Sequence, residues 1–193
     1  MLDGSYLTNP LAFLVQTVFG LYVVVVVVRF FLQLVRADFY NPLSQLVVKL
    51  TTPILRPLRR LIPGLWGLDI ASIVLAWALT AAQLALMAWL LGIPLTAAAP
   101  LAWAVPELVA LVLNVFLFAI IAQALLSWLS PGTYNPAAAL LYSLTTPVLR
   151  PLQRVIPAVS GLDLTPMAAV IGIVLLKMLL LPPLNALTHN PFG

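Results

Sequence analysis

Tyr40–Asp69 reads YNPLSQLVVKLTTPILRPLRRLIPGLWGLD, and Tyr134–Asp163 reads YNPAAALLYSLTTPVLRPLQRVIPAVSGLD. The two align without a gap at an offset of 94 (134 − 40), and 18 of the 30 aligned residues are identical. Apolar bias alone would leave scattered Leu and Val matches. Here Tyr, Asn, Pro, Thr, Arg, Gly and Asp match as well, so the chain contains an internal repeat and its fold is two copies of one unit.

The residues around the repeat set the class. The 193 residues are 63% hydrophobic and 7% charged, with a mean hydropathy of +1.13. A water-soluble domain carries about 25% charged residues, so this chain reads as an integral membrane protein. Cysteine is absent, which excludes disulfides, thiolate metal sites and cysteine nucleophiles together. The sole histidine, His189, has no nucleophile placed near it in sequence, and no carboxylate pair or metal-ligand spacing is recognisable. No enzyme activity, metal or cofactor is therefore expected. The net charge of +4 lies on no soluble basic face, so nucleic acid is not an expected partner.

Four apolar runs are long enough to cross a bilayer: 11–35, 70–91, 107–129 and 164–181. The first rises about 37 Å at ~1.5 Å per residue, against a hydrocarbon core of ~30 Å. Its six consecutive valines, Val23 to Val28, favour a strand in water. In lipid a lone strand leaves its backbone unpaired, so helix is the reading. Residues 1–10 lack the basic region of a signal peptide, and that run is taken as a retained helix. Asp69 and Asp163 precede the second and fourth spans as N-caps. Pro106 fits the first turn of the third span, Pro131 and Gly132 break it, and Pro182 and Pro183 end the fourth.

The expected fold is thus an all-α membrane protein, with four transmembrane helices in two parallel helix–amphipathic hairpin–helix repeats. The repeats divide the chain into 1–98 and 99–193, with interfacial hairpins at 40–63 and 134–157, and a pseudo-two-fold axis along the membrane normal is expected between them. Of nine basic residues, Arg36, Lys49, Arg56, Arg59 and Arg60 lie in the first repeat loop and Arg150 and Arg154 in the second. Neither the termini nor the loop between the repeats has any. The positive-inside rule then puts both repeat loops in the cytoplasm and both termini outside.

Within the first repeat loop, Leu43, Leu46, Val47 and Leu50 follow helical spacing on one face. Thr52–Pro53 reads as a second helix start, Pro57 shortens or kinks that second piece, and Pro63 ends it. Both pieces are too short to span and too apolar to leave the surface, which predicts a hairpin in the headgroup layer. Arg56, Arg59, Arg60, Arg150 and Arg154 are the candidate contacts with anionic lipid or a partner protein. The plainer reading is that they only fix topology. The second copy keeps Arg150, Pro151 and Arg154 but replaces Arg59 by Gln153 and Lys49 by Ser143, which favours a site over generic charge.

The same register aligns polar residues inside the spans. Arg29 matches Gln123, Gln33 matches Ser127 and Arg36 matches Ser130, a stripe on the loop-side half of the first and third spans. Gln83 matches Lys177. Intramembrane charges mark functional candidates, although Arg29 and Lys177 could each snorkel to an interface. Glu107 is the acid expected to pair with Lys177 near the outer surface. Asp69 and Asp163 could, besides capping, pair with Arg29, Arg56 or Arg150 and lock each loop to the bundle.

TTPILRPLRRLIP and its echo TTPVLRPLQRVIP, each between YNP and a GLD that opens a helix, resemble the YggT (YlmG-like) family of bacterial membrane proteins with plastid relatives. Two copies cover nearly the whole chain. Family repeats often carry a Ser-Trp pair before the loop, which stands here as Ser127-Trp128 but as Gln33-Leu34 in the first copy. A Ser-Pro after the capping Asp appears as Thr165-Pro166 and as Ala71-Ser72. The resemblance implies a multi-pass protein of the bacterial plasma (inner) membrane, with associations to cell-division loci and to osmotic or ionic stress. Two functions follow as expectations. One is a scaffold or assembly factor that engages anionic lipid and a membrane or division protein, with a homo-oligomer possible. The other is a component of a transport or channel system.

Overall fold

The computed structural model describes residues 5–64, 67–129, 135–156 and 163–193, and these form six α-helices. They are α1 (Ser5–Leu34), α2 (Pro42–Leu61), α3 (Ile70–Leu90), α4 (Ala99–Leu129), α5 (Pro136–Gln153) and α6 (Thr165–Thr188). Four of them, α1, α3, α4 and α6, are long and apolar enough to cross a membrane. The hairpin ends at Tyr134 and Pro157, and the helix breakers Pro131 and Gly132, lie outside the described residues.

Each repeat packs its two spans together, α1 along α3 and α4 along α6. The valine run of α1 serves the first pair. Val23, Val26 and Val27, at i, i+3 and i+4, are buried against Ala71, Leu75 and Ala76 of α3. Small residues continue the close approach of α3 to α4, where Ala81 and Ala88 cluster with Trp103 and Ala104. Without a hydrophobic drive between helices in lipid, such close packing is what holds spans together.

The expected two-fold relation between repeats is not what forms. A two-fold axis that places α3 against α4 would also place α6 against α1, and α1 and α6 do not touch. The spans instead pack in the order α1–α3–α4–α6, with α1 also touching α4 through the Phe31–Phe116 ring pair, while α2 and α5 meet at one end of the bundle. There Asn41 Nδ2 donates to the Pro136 carbonyl at 2.7 Å, so both amphipathic segments share one face.

Neither amphipathic segment is a hairpin. α2 runs unbroken for 20 residues through Pro53 and Pro57, and α5 for 18 through Pro147 and Pro151. Each proline removes one amide and frees the carbonyl four residues earlier. Lys49, Pro53 and Pro57 are all exposed, so the freed carbonyls of Lys49 and Pro53 fall on a face that water or headgroups can reach. The Thr52 hydroxyl bonds back to Val48 rather than capping a new helix. The true N-caps are Asn41 and Asn135, whose side chains accept from the amides of Leu43 and Ala137 at 2.9 Å, each with proline next in sequence. Asn-Pro in YNP was the readable start signal.

Prolines also mislead at the spans. α4 begins at Ala99, so Pro100 and not Pro106 lies in its first turn, and Pro106 is buried inside the helix. Pro182 and Pro183 do not end α6, which continues to Thr188 and closes on His189 in the left-handed conformation. α1 likewise starts before Pro10. In lipid a missing amide costs less than abandoning the helix, because neighbouring groups re-satisfy the freed carbonyl.

Candidate functional site

The TTP of each repeat builds a buried polar joint between span and amphipathic helix. Thr51 is fully buried, and its hydroxyl donates to the Val47 carbonyl at 2.7 Å. Arg29, from α1, directs Nη1 at the Thr51 hydroxyl, at the Val48 carbonyl (3.0 Å) and at the Thr52 hydroxyl (3.2 Å). Arg29 is only 7% exposed, so it does not snorkel; it pins α2 to the bundle. In the second repeat Thr145 is equally buried, and its hydroxyl donates to Gln123 Oε1 and shares its proton with the Leu141 carbonyl. A neutral amide thus does for α5 what a guanidinium does for α2.

A second joint fastens the far end of each amphipathic helix. Arg59 pairs with Asp69 through Nη2 and Nε, and the Ser72 hydroxyl donates to the same carboxylate. Asp69 holds the N-cap position of α3 but makes no capping hydrogen bond. The lock between loop and bundle exists, then, but its arginine is Arg59, not Arg29, Arg56 or Arg150. Burial works against the Asp69 charge, yet Arg59 and Ser72 outweigh it and hold the carboxyl below its ordinary range. Asp163 lies one residue before the cap of α6, which is Leu164. It accepts from the Thr165 amide at 2.9 Å and from Gln153 at 3.3 Å, and the Thr165 bonds hold it below its usual range.

The expected pair of Glu107 and Lys177 does not form. Lys177 Nζ donates to Asn114 Oδ1 at 2.6 Å, while Glu107 accepts from Asn190 Nδ2 at 3.4 Å. Because α6 runs on to Thr188, Lys177 lies about 16 Å below its end at ~1.5 Å per residue, too deep to meet Glu107. Asn114, two helical turns further into α4, stands at the matching depth.

Glu107 and Asn114 instead line a groove of about 710 Å³ between α1 and α4, with Gln16, Thr17, Thr80 and Gln83. Its far end is closed by Leu140, Leu141 and Leu144 of α5. Sequence reasoning had Gln83 and Glu107 but missed Gln16 and Thr17 of α1, Thr80 of α3 and Asn114 of α4, which come to one groove only once the helices are packed.

Arg56, Arg60, Arg150 and Arg154 are exposed, and among the described residues no side chain pairs with them. On α2 they belong to a three-faced helix. Ser44, Thr51 and Leu55 are buried against the bundle, and Leu43, Leu46, Leu50, Ile54 and Leu61 form an exposed apolar stripe. Gln45, Lys49, Arg56 and Arg60 form the remaining polar face. A helix that is apolar on one exposed side and cationic on another suits the plane of a membrane surface.

Arg29, Gln33 and Arg36, the stripe read from sequence, do share one hollow, a pocket of about 350 Å³ in the crook between α1 and α2 that Ser44 and Arg59 complete. Arg36 stands there at φ 51, and the next amide, Ala37, closes on the Leu32 carbonyl at 2.9 Å. Beside Gln123 a different hollow, which opens onto α6, is lined by Ser127, Gln153 and Asp163.

Comparison with known proteins agrees with this repeat architecture. The family described as CCB3/YggT matches residues 8–90 and again 102–184. An uncharacterized protein of Pseudomonas aeruginosa is 42% identical over 187 residues, covering 96% of this chain and 95% of its own. The uncharacterized protein YggT of Escherichia coli K12 is 36% identical over 172 residues, 88% of each chain. An uncharacterized protein of Vibrio alginolyticus is 36% identical over 167 residues, 86% of this chain and 90% of its own. No solved structure matches.

Proposed function

Because this chain belongs to the CCB3/YggT family, we propose that it is a non-enzymatic scaffold or assembly factor of a bacterial plasma membrane, acting in membrane or cell-division organisation. One observation carries the reading: α2 and α5 lie together on a single face, each with arginines that the bundle does not use. The positive-inside rule makes that face cytoplasmic. Near anionic lipid each such arginine contributes about 1 kcal/mol, and the same side chains can engage an acidic surface on a membrane or division protein. The test is the double substitution Arg56→Gln with Arg150→Gln. It should insert normally yet lose retention of anionic lipid in nanodiscs and of its partner in affinity capture from membranes. Wild-type behaviour in both assays would reduce the two helices to topological anchors.

A second reading, a component of a transport or channel system in osmotic or ion homeostasis, is favoured by the polar-walled groove between α1 and α4. Gly20 lines that groove and has open space where a side chain would grow. Gly20→Leu should therefore block solute flux in proteoliposomes if this reading holds and leave scaffolding untouched.

A further inference from the structure

The crook between α1 and α2 brings together two polar atoms that nothing among the described residues satisfies. Arg29 Nε and Ser44 Oγ are both buried, and neither has a hydrogen-bond partner. Both residues line the same 350 Å³ pocket. A buried donor without a partner costs about 1–3 kcal/mol, more when charged, and two in one cavity point to a ligand that accepts from both. Arg36 and Arg59 line the pocket as well, with Gln33, and among the described residues no carboxylate does. Asp69 lies behind Arg59 and occupies part of that guanidinium. Asp38 is two residues from Arg36 and accepts from the Tyr40 amide.

We propose that this crook is a binding site for a phosphate group, held by Arg29 Nε, the Ser44 hydroxyl and the Arg36 guanidinium, with Arg59 at its rim. Planar guanidinium donors match phosphate oxygens in charge and geometry. Ser44 stands in the first turn of α2, where the helix dipole also favours an anion. The pocket lies at the membrane face that carries the amphipathic helices, so the phosphate of a lipid headgroup and a soluble phosphate ester are the two sources of this chemistry. The three arginines of the lining exclude a cation.

The second repeat builds the same joints without these cations. At the 94-residue offset Arg29 becomes Gln123, Arg36 becomes Ser130, Ser44 becomes Ala138 and Arg59 becomes Gln153. The three cations become neutral residues and the Ser44 hydroxyl is lost with them, although both Thr joints and the asparagine caps persist. The cations of the first copy therefore form one local set, distinct from the exposed Arg56, Arg60 and Arg150 on which the scaffold reading rests.

The site is tested by thermal stability and native mass spectrometry of the intact protein in neutral detergent. The probes are inorganic phosphate and dioleoyl phosphatidic acid, against dioleoylglycerol as the phosphate-free control. Phosphatidic acid or phosphate should raise the melting temperature and bind one per chain, and the control should do neither. Saturation by inorganic phosphate at concentrations that displace the lipid identifies a soluble ester as the ligand. Retention of the lipid against excess phosphate identifies the headgroup. Ser44→Ala removes a hydroxyl that bonds nothing in the protein, so it should fold as well as wild type while weakening the phosphate-bearing probe about tenfold, the worth of one hydrogen bond to a charged acceptor. Arg36→Ser should do the same. Arg56→Gln with Arg150→Gln, the scaffold test, should leave binding of inorganic phosphate unchanged whatever it does to anionic lipid, so the two ideas fail separately. Wild-type affinity in Ser44→Ala and Arg36→Ser, or equal binding of the phosphate-free control, would overturn the assignment.

Discussion

Replacing Asp69 tests whether the amphipathic helix is fastened by charge or only by packing. The Asp69 side chain is 4% exposed and that of Arg59 is 38% exposed, so the two partners are stranded unequally. Removing one side of a fully buried pair costs about 3–5 kcal/mol. In Asp69→Asn the abandoned guanidinium can rehydrate, which lowers the expected loss to about 1–2 kcal/mol by that scale. Arg59→Met leaves a buried carboxylate with only Ser72 and should cost more, about 2–4 kcal/mol. Arg59→Gln should cost least, since Gln153 at the equivalent position still donates to Asp163. Thermal unfolding in detergent reads these as roughly 2–4 °C per kcal/mol for a chain of this size. Combining Asp69→Asn with Arg59→Met should lose less than the sum of the two, by about 1–2 kcal/mol of coupling. Additive losses within ~0.5 kcal/mol would show that the two residues stabilise α2 independently and refute the pairing.

Other outcomes follow from the same joints. Asp69 titrates below its unfolded value of about 3.9, so its contribution is complete above that pH and disappears as pH falls through the lower folded value. Between pH 5 and pH 3 the wild type should therefore lose more melting temperature than Asp69→Asn does. Lys177→Met and Asn114→Leu should couple by about 1–2 kcal/mol in a double-mutant cycle, whereas Lys177→Met and Glu107→Gln should add; coupling in the second cycle would restore the ion pair. Pro53→Ala returns an amide to the Lys49 carbonyl on an exposed face and should raise the melting temperature by a few degrees, consistent with about 1–3 kcal/mol for an interior proline. An unchanged or lowered value would refute the idea that the freed Lys49 carbonyl costs stability. Single cysteines placed in this cysteine-free chain at Arg60 and at Thr96 should label from opposite membrane sides, Arg60 from the cytoplasm. Labelling of both from one side would invert the architecture.

The repeat and the four spans were legible because both are local signals: an offset in the string, and apolar length. The polar stripe of Arg29, Gln33 and Arg36 was legible too, since helical spacing alone puts those residues on one face. What they face was not, because Thr51 is 22 residues from Arg29 and meets it only when α2 folds back. Proline was the main source of error. In water Pro53, Pro106, Pro182 and Pro183 would each argue for a break; in this bundle the helix continues through every one of them. That error shortened the last span by seven residues, from Thr188 back to Leu181, and so placed Lys177 too close to the surface and beside the wrong partner. Ser44 carried no signal in sequence at all. Its meaning comes from a hydroxyl buried without a partner, which only packing can reveal.

The unequal packing of the spans, in which α1 meets both α3 and α4 but α6 meets only α4 among them, gives the molecule a direction in the plane of the bilayer. One lateral edge is the first helix of the first copy, where Phe13 and Val18 are exposed; the other is the last helix of the second copy, where Ile171, Met178 and Leu179 are exposed. A closed two-fold bundle would show neighbours the same edge twice. Here left and right differ, so like-to-like meeting of one edge stops at a pair, whereas meeting of unlike edges continues as a line. The phosphate crook lies in the copy nearer the first edge, and every chain added to such a line would present its cations at the same pitch along the membrane.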